Sequence, residues 1–311
     1  MKILLLDKNH PLITEQLSAK GFLLKEDFTS TYDEVLKKIE TYDGIIIRSR
    51  IPIDKNFIEH AKNLKFIARV GAGMENIDVE FAHKSGIKLI SSPEGNRDSV
   101  AEHVVGMLLI LMNRLFIAST EVKNGIWKRE ENRGDELLGK TFGIIGYGNM
   151  GKAVAKRLSG FGVSVIFHDI IPNLSDEFAT QTTMETLYRD ADILSLHLPL
   201  SPETNYLIDE EFISKMKKDF YFINTARGKN VKTQDLVKAI KSGKIKGAAL
   251  DVLEYEKASF ENIESGNEDL QYLLHSEKAI LTPHIAGWTV QSKEKLAQVI
   301  VDKILSDFSK S

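Results

Sequence analysis

The amino-acid sequence predicts an α/β protein of two doubly wound parallel-sheet domains joined by two short hinges. Three observations support this prediction: short apolar runs alternate with helical patterns, a glycine-rich motif lies at mid-chain, and the sequence has 311 residues. A chain of that length can bury two separate cores. The expected boundaries place residues 1–97 and 290–311 in the first domain and residues 98–289 in the second.

The first domain is predicted from β-rich runs that alternate with amphipathic helical patterns, which favours a parallel sheet with helices on both faces. No glycine motif follows its first strand, where residues 7–10 read Asp-Lys-Asn-His. This domain is therefore expected to be flavodoxin-like. Its predicted strands are 3–6, 44–47, 66–70 and 87–90, and its predicted helices are 30–39 and 56–61.

A long, mostly apolar helix is predicted to open the second domain, capped by Asp98 or Ser99 and continuing to about Phe116. Such an apolar helix should be buried between domains or at a contact between subunits. An amphipathic helix from Val290 to Phe308 is expected to return to the first domain. The strands of the second sheet are predicted near 142–146, 163–168, 192–197, 220–224, 247–251 and 279–282.

Composition excludes several classes of protein. The 41 basic and 44 acidic residues give a net charge of −3, which does not suggest a nucleic-acid partner. The absence of cysteine excludes disulfides and thiolate catalysis, and no metal site is predicted. The longest apolar stretch, residues 104–112, is far shorter than the roughly 20 residues that span a membrane. The protein is therefore expected to be soluble and cytoplasmic.

The most specific motif is Gly-x-Gly-x-x-Gly at Gly146, Gly148 and Gly151, between an apolar run and a helical pattern. The first glycine allows a tight turn, the second lets backbone amides approach a pyrophosphate, and the third lets helix and strand pack closely. A second apolar run ends at Asp169, 18 residues after the third glycine. This carboxylate can accept from both ribose hydroxyls and would repel a 2′-phosphate. The segment therefore predicts a Rossmann dinucleotide site that prefers NAD to NADP.

Polar residues also stand where later strands of this sheet are predicted to end: Arg227, Asp251, Glu256 and His284. Ligands of doubly wound sheets bind beyond the carboxyl ends of the strands, so these side chains should converge near the nicotinamide. Hydride transfer to a 2-oxo acid needs a carboxylate-binding fork, a proton donor and a carboxylate to tune that donor. Arg227 suits the first role, His284 the second and Glu256 the third. Each residue alone would more often be structural, and their shared position favours catalysis.

These motifs resemble those of the D-isomer-specific 2-hydroxyacid dehydrogenases, in the branch of the phosphoglycerate dehydrogenases. The resemblance covers essentially the whole chain and is most specific at 139–151, 197–204, 224–228, 249–252 and 283–287. It implies that Arg227, Glu256 and His284 are catalytic and that Asp251 holds the nicotinamide carboxamide. It also implies a homodimer that forms through the NAD-binding domain.

The resemblance further implies two sets of binding residues, one for the cofactor and one for the small-molecule substrate. The implied NAD-binding residues are Tyr147, Gly148, Asn149, Met150, Asp169, His197, Pro199, Thr204, Thr225, Ala226, Arg227, Asp251, His284, Ala286 and Gly287. The implied substrate-binding residues are Arg48, Ser49, Val70, Gly71, Ala72, Asn96, Arg227 and His284.

The sequence departs from the family pattern in two places. Lys257 follows Glu256 where the family usually has proline, and a polar insertion from 259 to 271 comes next, so the path of this loop is not predicted. The sequence ends at Ser311, without the C-terminal regulatory domain of longer phosphoglycerate dehydrogenases. Feedback by serine through such a domain is therefore not expected.

Three functions remain open at this point. The favoured one is oxidation of D-3-phosphoglycerate to 3-phosphohydroxypyruvate in serine biosynthesis, because Arg48 and Arg50 at a strand end offer two cations for a phosphate. The enzymatic alternative is a glyoxylate or hydroxypyruvate reductase, which needs no phosphate pocket. A co-repressor-like protein that senses NAD(H) with little turnover is the third, since it can retain the same catalytic residues.

Overall fold

The computed structural model describes residues 1–256 and 267–309, and the chain forms two compact α/β units. We call Met1–Arg97 together with the segment that starts at Trp288 the terminal unit, and Asp98–Gly287 the central unit. The sequence placed the crossings after residues 97 and 289, whereas the structure has them after Arg97 and Gly287. Residues 259–266 of the polar insertion, whose path was not predicted, lie outside the described residues.

The terminal unit is built on a five-stranded parallel sheet with strand order β2-β1-β3-β4-β5, the flavodoxin-like order. Strand β3 is buried along its whole length, as expected for a parallel strand covered on both faces. The strands are β1 (Lys2–Leu5), β2 (Leu23–Glu26), β3 (Gly44–Ile47), β4 (Phe66–Arg69) and β5 (Lys88–Ser91). The helices between them are α1 (Leu12–Ala19), α2 (Tyr32–Leu36), α3 (Lys55–His60) and α4 (Val79–Lys84).

The central unit is built on a seven-stranded parallel sheet with strand order β12-β11-β10-β9-β6-β7-β8. The order reverses between β6 and β9, which is where doubly wound sheets bind ligands. The strands are β6 (Thr141–Ile145), β7 (Ser164–His168), β8 (Thr180–Gln181), β9 (Ile193–Leu196), β10 (Phe220–Asn224), β11 (Ile245–Leu250) and β12 (Ala279–Leu281). The helices are α5 (Pro93–Met112), which begins in the terminal unit, α6 (Leu115–Lys123), α7 (Asn149–Leu158), α8 (Met184–Asp190), α9 (Glu210–Lys215), α10 (Thr233–Ser242) and α11 (Glu268–His275).

The C-terminal helix α12 (Val290–Phe308) belongs to the terminal unit and covers one face of its sheet. A capping box at Thr289 begins this helix, and its apolar face packs against residues such as Ile3 and Phe66. A Cβ on Gly95, in the first turn of α5, would lie 2.6 Å from the backbone of Leu296. Glycine at that position therefore allows the two helices to cross closely.

The prediction of two parallel-sheet α/β domains is confirmed, but the predicted long helix to Phe116 is wrong at both ends. Helix α5 begins at Pro93, where proline suits the first turn, and ends at Met112. Arg114 takes a left-handed conformation with φ +53°, and α6 continues at a 60° angle. The break is stabilised from a distant segment, because the amide of Asp135 donates to the carbonyl of Met112.

Several short elements were not expected from the sequence. Helices α1 and α4 and strand β2 lie within stretches that were left without assignment, and the predicted helix 30–39 is only α2 followed by a 3-10 turn at Ile39–Thr41. Strand β2 is an edge strand whose residues are largely exposed, so it lacks the apolar run that marks the inner strands.

No single helix among the described residues is long and apolar enough to cross a membrane. Only α5 and α6 taken together, across their bend, reach the length and composition of a span.

Candidate active site

The glycine motif forms a tight turn at the switch point of the central sheet. Gly146 has φ +91°, and a Cβ there would lie 2.4 Å from the carbonyl oxygen of His197. A Cβ on Gly151 would lie 2.3 Å from the carbonyl oxygen of Gly146. Both positions therefore require glycine. Gly148 differs, because no described atom lies within 4 Å of its Cβ position, which leaves open space at the N-terminus of α7.

Asp169 follows β7 and lies beside this turn. Its two carboxylate oxygens accept from the amides of Tyr147 at 2.6 Å and Ile171 at 2.9 Å. Ile170, the next residue, is 94% exposed. The strand end therefore presents a fixed carboxylate and an apolar side chain side by side.

The side chain of Tyr147 is a core residue. Its ring is fully buried and stacks on Phe167 at 3.7 Å, and its hydroxyl donates to Asp176 at 2.8 Å. Burial, reinforced by Asp176, raises the pKa of Tyr147 above its ordinary value. Only the backbone of Tyr147 remains for the predicted cofactor contact, because the ring lies inside the unit.

His197 follows β9 and is a neutral imidazole. Protein encloses its ring, although part of the residue surface stays accessible, and this desolvation lowers the pKa of His197 to about 3. One ring nitrogen lies 2.9 Å from the hydroxyl of Ser195. The predicted cofactor contact of His197 is therefore that of an uncharged ring.

The remaining predicted cofactor residues occupy loops of the central unit. Thr204 donates to the carbonyl of Pro199 at 2.7 Å, and Ala286 is buried, with its carbonyl bonded to Ser99. The hydroxyl of Thr225, directly after β10, is buried without a hydrogen-bond partner among the described residues. The others are Ala226, which is buried, Gly287 at the last position of the unit, and Asn149 and Met150, which lie in the first turn of α7 and not in a loop.

These features fit a dinucleotide. Open space above Gly148, the helix N-terminus, the carboxylate of Asp169 and an unpartnered hydroxyl at Thr225 are what NAD requires for its pyrophosphate and ribose groups.

The loop that carries Arg227 is fixed by two asparagines. The side chain of Asn224 donates to the carbonyl of Arg227 at 2.9 Å, and the oxygen of Asn230 accepts from its amide at 3.1 Å. A Cβ on Gly228 would lie 1.9 Å from the carbonyl oxygen of Leu253. Glycine at 228 thus lets the Arg227 loop pack directly on the loop that leads to Glu256.

Glu256 and His284 form a hydrogen-bonded pair. The Nδ1 atom of His284 donates to Oε2 of Glu256 at 2.8 Å, and the side chains are 25% and 14% exposed, respectively. The other oxygen of Glu256 accepts from the amide of Leu253. Both carboxylate oxygens are therefore used, one to fix the acid and one to orient the imidazole. Lys257, the departure from the family pattern, lies outside the described residues.

Asp251 holds the loop that carries His284. Its carboxylate is 1% exposed and accepts from the hydroxyl of Thr282 at 2.6 Å and the amides of Ile285 and Ala286 at 2.8 Å each. Its carbonyl accepts from the amide of His284 at 2.8 Å. His284 itself has φ +55°, a region that residues other than glycine rarely adopt. The predicted contact of Asp251 with the carboxamide stays a prediction, and its observed contacts are with this loop.

The predicted substrate residues Arg48, Ser49, Val70, Gly71, Ala72 and Asn96 all lie in the terminal unit. The amide of Gly71 donates to the hydroxyl of Ser92 at 3.0 Å, and the side-chain oxygen of Asn96 is buried without a partner among the described residues. The guanidinium of Arg48 lies 4.3 Å from the ring centre of Trp288.

Arg50 was expected to be the second cation for a phosphate, and this role stays a prediction. Arg50 donates to the carbonyls of Leu6, Ser30 and Asp27, so it braces the loops of the terminal unit. Arg69 contacts Arg48, since its Nε donates to the carbonyl of Arg48 at 3.3 Å and its guanidinium lies against Gly71. The sequence offers a signal for Arg69, because it directly precedes the predicted substrate-binding residues Val70, Gly71 and Ala72.

A dinucleotide turn with an Arg227 loop and a His284–Glu256 pair at neighbouring strand ends defines an NAD-dependent dehydrogenase. Residues 105–286 match the model of the D-isomer specific 2-hydroxyacid dehydrogenase NAD binding domain. The chain belongs to this family, and it is an NAD-dependent D-2-hydroxyacid dehydrogenase.

Three similar proteins illustrate the range of the family. A hydroxypyruvate reductase of Thermotoga maritima is 36% identical over 275 residues, which cover 88% of each chain. A D-3-phosphoglycerate dehydrogenase of Archaeoglobus fulgidus is 33% identical, over 98% of this chain and 57% of that protein. The structure of a D-lactate dehydrogenase from Aquifex aeolicus, complexed with NAD and lactic acid, matches with a TM-score of 0.84 at 30% identity, over 99% and 96% of the chains.

Proposed function

We propose that this dehydrogenase interconverts D-3-phosphoglycerate and 3-phosphohydroxypyruvate, as in serine biosynthesis. The observation that carries the proposal is the pair of arginines at the ends of β3 and β4, where Arg48 follows Ile47 and Ile47 is the strand partner of Arg69. Two guanidinium groups on adjacent strand ends suit a phosphate dianion. Similarity to phosphoglycerate dehydrogenases also supports this substrate.

The catalytic roles follow from the contacts of each residue. When bound, NADH would supply the hydride for reduction and NAD⁺ would accept it in oxidation. Arg227 binds the carboxylate of the 2-oxo acid and polarises its carbonyl. His284 uses Nδ1 for Glu256, so Nε2 is the nitrogen that gives the proton to the developing alkoxide during reduction and takes it back during oxidation. Glu256 accepts from Nδ1 of His284 and so fixes the orientation of the imidazole.

A hydroxypyruvate or glyoxylate reductase is the second candidate, because the Thermotoga maritima relative bears that name and matches over most of both chains. A spectrophotometric panel separates the candidates: NADH oxidation with 3-phosphohydroxypyruvate, hydroxypyruvate and glyoxylate, and the reverse reaction with their D-hydroxy acids. The proposal predicts the highest kcat/KM for the phosphorylated pair. A higher value for hydroxypyruvate or glyoxylate favours the reductase, and no turnover with any substrate favours the NAD(H)-sensing class. Repeating the panel with NADPH tests the role of Asp169, which predicts a preference for NADH.

The homodimer is also a proposal, and the surface that supports it shares only Leu115 and Phe116 with the long helix that the sequence suggested. The apolar residues of α5, such as Val104 and Leu108, are buried in the core of their own unit. Exposed apolar side chains gather instead on α6 and the segment after it: Leu115, Phe116, Val122, Ile126 and Trp127. Such patches are typical of subunit contacts. Light scattering at micromolar concentration should give twice the chain mass, and a monomer would contradict the proposal.

A further inference from the structure

A second histidine lies beneath the His284 loop, and the mechanism above does not use it. His103 stands on α5 with a side chain that is 22% exposed. Its Nε2 atom lies 3.1 Å from the hydroxyl of Thr282 and 3.6 Å from the carboxylate of Asp251. The Thr282 hydroxyl in turn lies 2.6 Å from that carboxylate. His103, Thr282 and Asp251 are therefore linked by consecutive hydrogen bonds inside the central unit.

Counting hydrogens gives this series of hydrogen bonds a direction. A carboxylate only accepts, so the hydroxyl of Thr282 gives its single hydrogen to Asp251. The same hydroxyl oxygen must then accept from His103, so Nε2 of His103 carries a hydrogen. The sulfur of Met107, one helical turn after His103, lies 3.9 Å from the hydroxyl and is the weaker acceptor. The hydrogen bonds therefore run from His103 through Thr282 to Asp251.

The last group in this series of hydrogen bonds is the carboxylate of Asp251, which holds the loop that carries His284. Asp251 accepts from three successive backbone amides of this loop. Its carbonyl accepts from the amide of His284, and its carboxylate accepts from the amides of Ile285 and Ala286. The left-handed backbone of His284 is rarely populated, so it persists because the surrounding bonds impose it. A change in how Asp251 is bound is thus transmitted to the direction in which His284 points.

We propose that His103 is a positioning residue for His284, which it orients through the hydroxyl of Thr282 and the carboxylate of Asp251. This inference rests on the proposed function, since it assumes that His284 transfers the proton. It assigns α5 a part in the catalytic geometry, because the helix supplies the donor that fixes the Thr282–Asp251 bond.

The test compares three variants of the full-length enzyme with NADH and the best 2-oxo acid of the panel. His103→Leu removes the donor, His103→Gln keeps an N–H donor on a side chain of similar reach, and Met107→Leu changes packing on the same helix face with little change of volume. His103→Leu should lower kcat about three- to tenfold, the share of one hydrogen bond, with KM for the 2-oxo acid within about twofold. His103→Gln should recover most of the lost kcat, and Met107→Leu should match the unmodified enzyme.

Two outcomes overturn the inference. One is an unchanged kcat in His103→Leu, and the other is an equal loss in the Leu and Gln variants, which would show that the imidazole matters for packing alone. His284→Ala, measured in parallel, distinguishes a failure of the positioning role of His103 from a failure of the proposed function. If His284→Ala abolishes turnover while His103→Leu does not change kcat, the positioning role fails and the proposed function stands. If His284→Ala leaves turnover unchanged, the proposed function itself fails.

Discussion

At the scale of single residues, the decisive feature is that Glu256 uses one oxygen for the backbone and the other for His284. This arrangement leaves the carboxylate no freedom to rotate away, and it assigns Nδ1 of His284 to Glu256. The positions of Arg227, Glu256 and His284 followed from the ends of predicted strands. The left-handed backbone of His284 did not, because it depends on bonds to Asp251, 33 residues earlier in the sequence.

Glu256→Gln should lower kcat for reduction of the 2-oxo acid by about tenfold or more. The amide keeps the shape of the side chain but removes the negative charge that lies 2.8 Å from Nδ1 of His284. The measurement is kcat at neutral pH in the direction of reduction, for the variant and the unmodified enzyme. An unchanged kcat would mean that Glu256 is not the partner of His284.

His197 makes the folded state sensitive to acid. Its pKa is about 3 in the folded protein, against about 6.5 for an unperturbed histidine, so the unfolded chain binds a proton that the folded chain does not. The stability due to the neutral ring is complete above pH 6.5 and is lost as the pH falls towards 3, by up to about 1.4 kcal/mol per pH unit.

The comparison that checks this is urea unfolding of the unmodified protein and His197→Gln at pH 7 and pH 5. Between pH 7 and pH 5 the free energy of unfolding should decrease by about 2 kcal/mol less in the variant than in the unmodified protein, because glutamine does not titrate. His60→Gln is the control, since His60 is exposed on α3. An equal decrease in the free energy of unfolding of the unmodified protein and His197→Gln would show that His197 is protonated as easily in the folded state as in the unfolded state.

At the scale of secondary-structure elements, the strands were easier to predict than the ends of helices. An inner parallel strand is buried on both faces, so its apolar run marks it, and β3 was predicted at the residues where it occurs. The end of α5 could not be found in the same way. At this end the carbonyl of Met112 accepts a hydrogen bond from the amide of Asp135. No local sequence pattern predicts that bond, because Asp135 lies outside the helix.

Gly228 joins two elements of the site, and its replacement should affect both. A Cβ at this position would lie 1.9 Å from the carbonyl oxygen of Leu253 and 2.6 Å from the amide nitrogen of Glu254, and neither backbone atom can rotate away. Gly228→Ala should reduce the free energy of unfolding by about 1–3 kcal/mol and should lower kcat, because the Arg227 and Glu256 loops must separate.

Gly160→Ala is the matched control for chemical denaturation and kinetics. Its Cβ would meet no described atom within 4 Å, so stability should change by less than about 0.5 kcal/mol. If Gly228→Ala behaves like this control, the two loops do not depend on their close contact.

At the scale of the whole molecule, the alternation of strands and helices predicted both parallel sheets. The alternation alone does not determine the order of the strands within a sheet, since that order depends on which crossover connections reverse direction. The structure shows the flavodoxin-like order in the terminal unit and a reversal between β6 and β9 in the central unit. That reversal places the glycine turn beside His197.

We propose that His284 transfers the proton during hydride transfer and that it contributes little to the binding affinity for NADH. His284→Ala, measured with NADH and the best 2-oxo acid, tests it most directly. In this variant kcat should fall by roughly 10²–10⁴, the usual share of a positioned general acid, while the Kd for NADH measured by fluorescence should stay within about twofold. Turnover within tenfold of the unmodified enzyme, or a loss explained by failure to bind NADH, would contradict it.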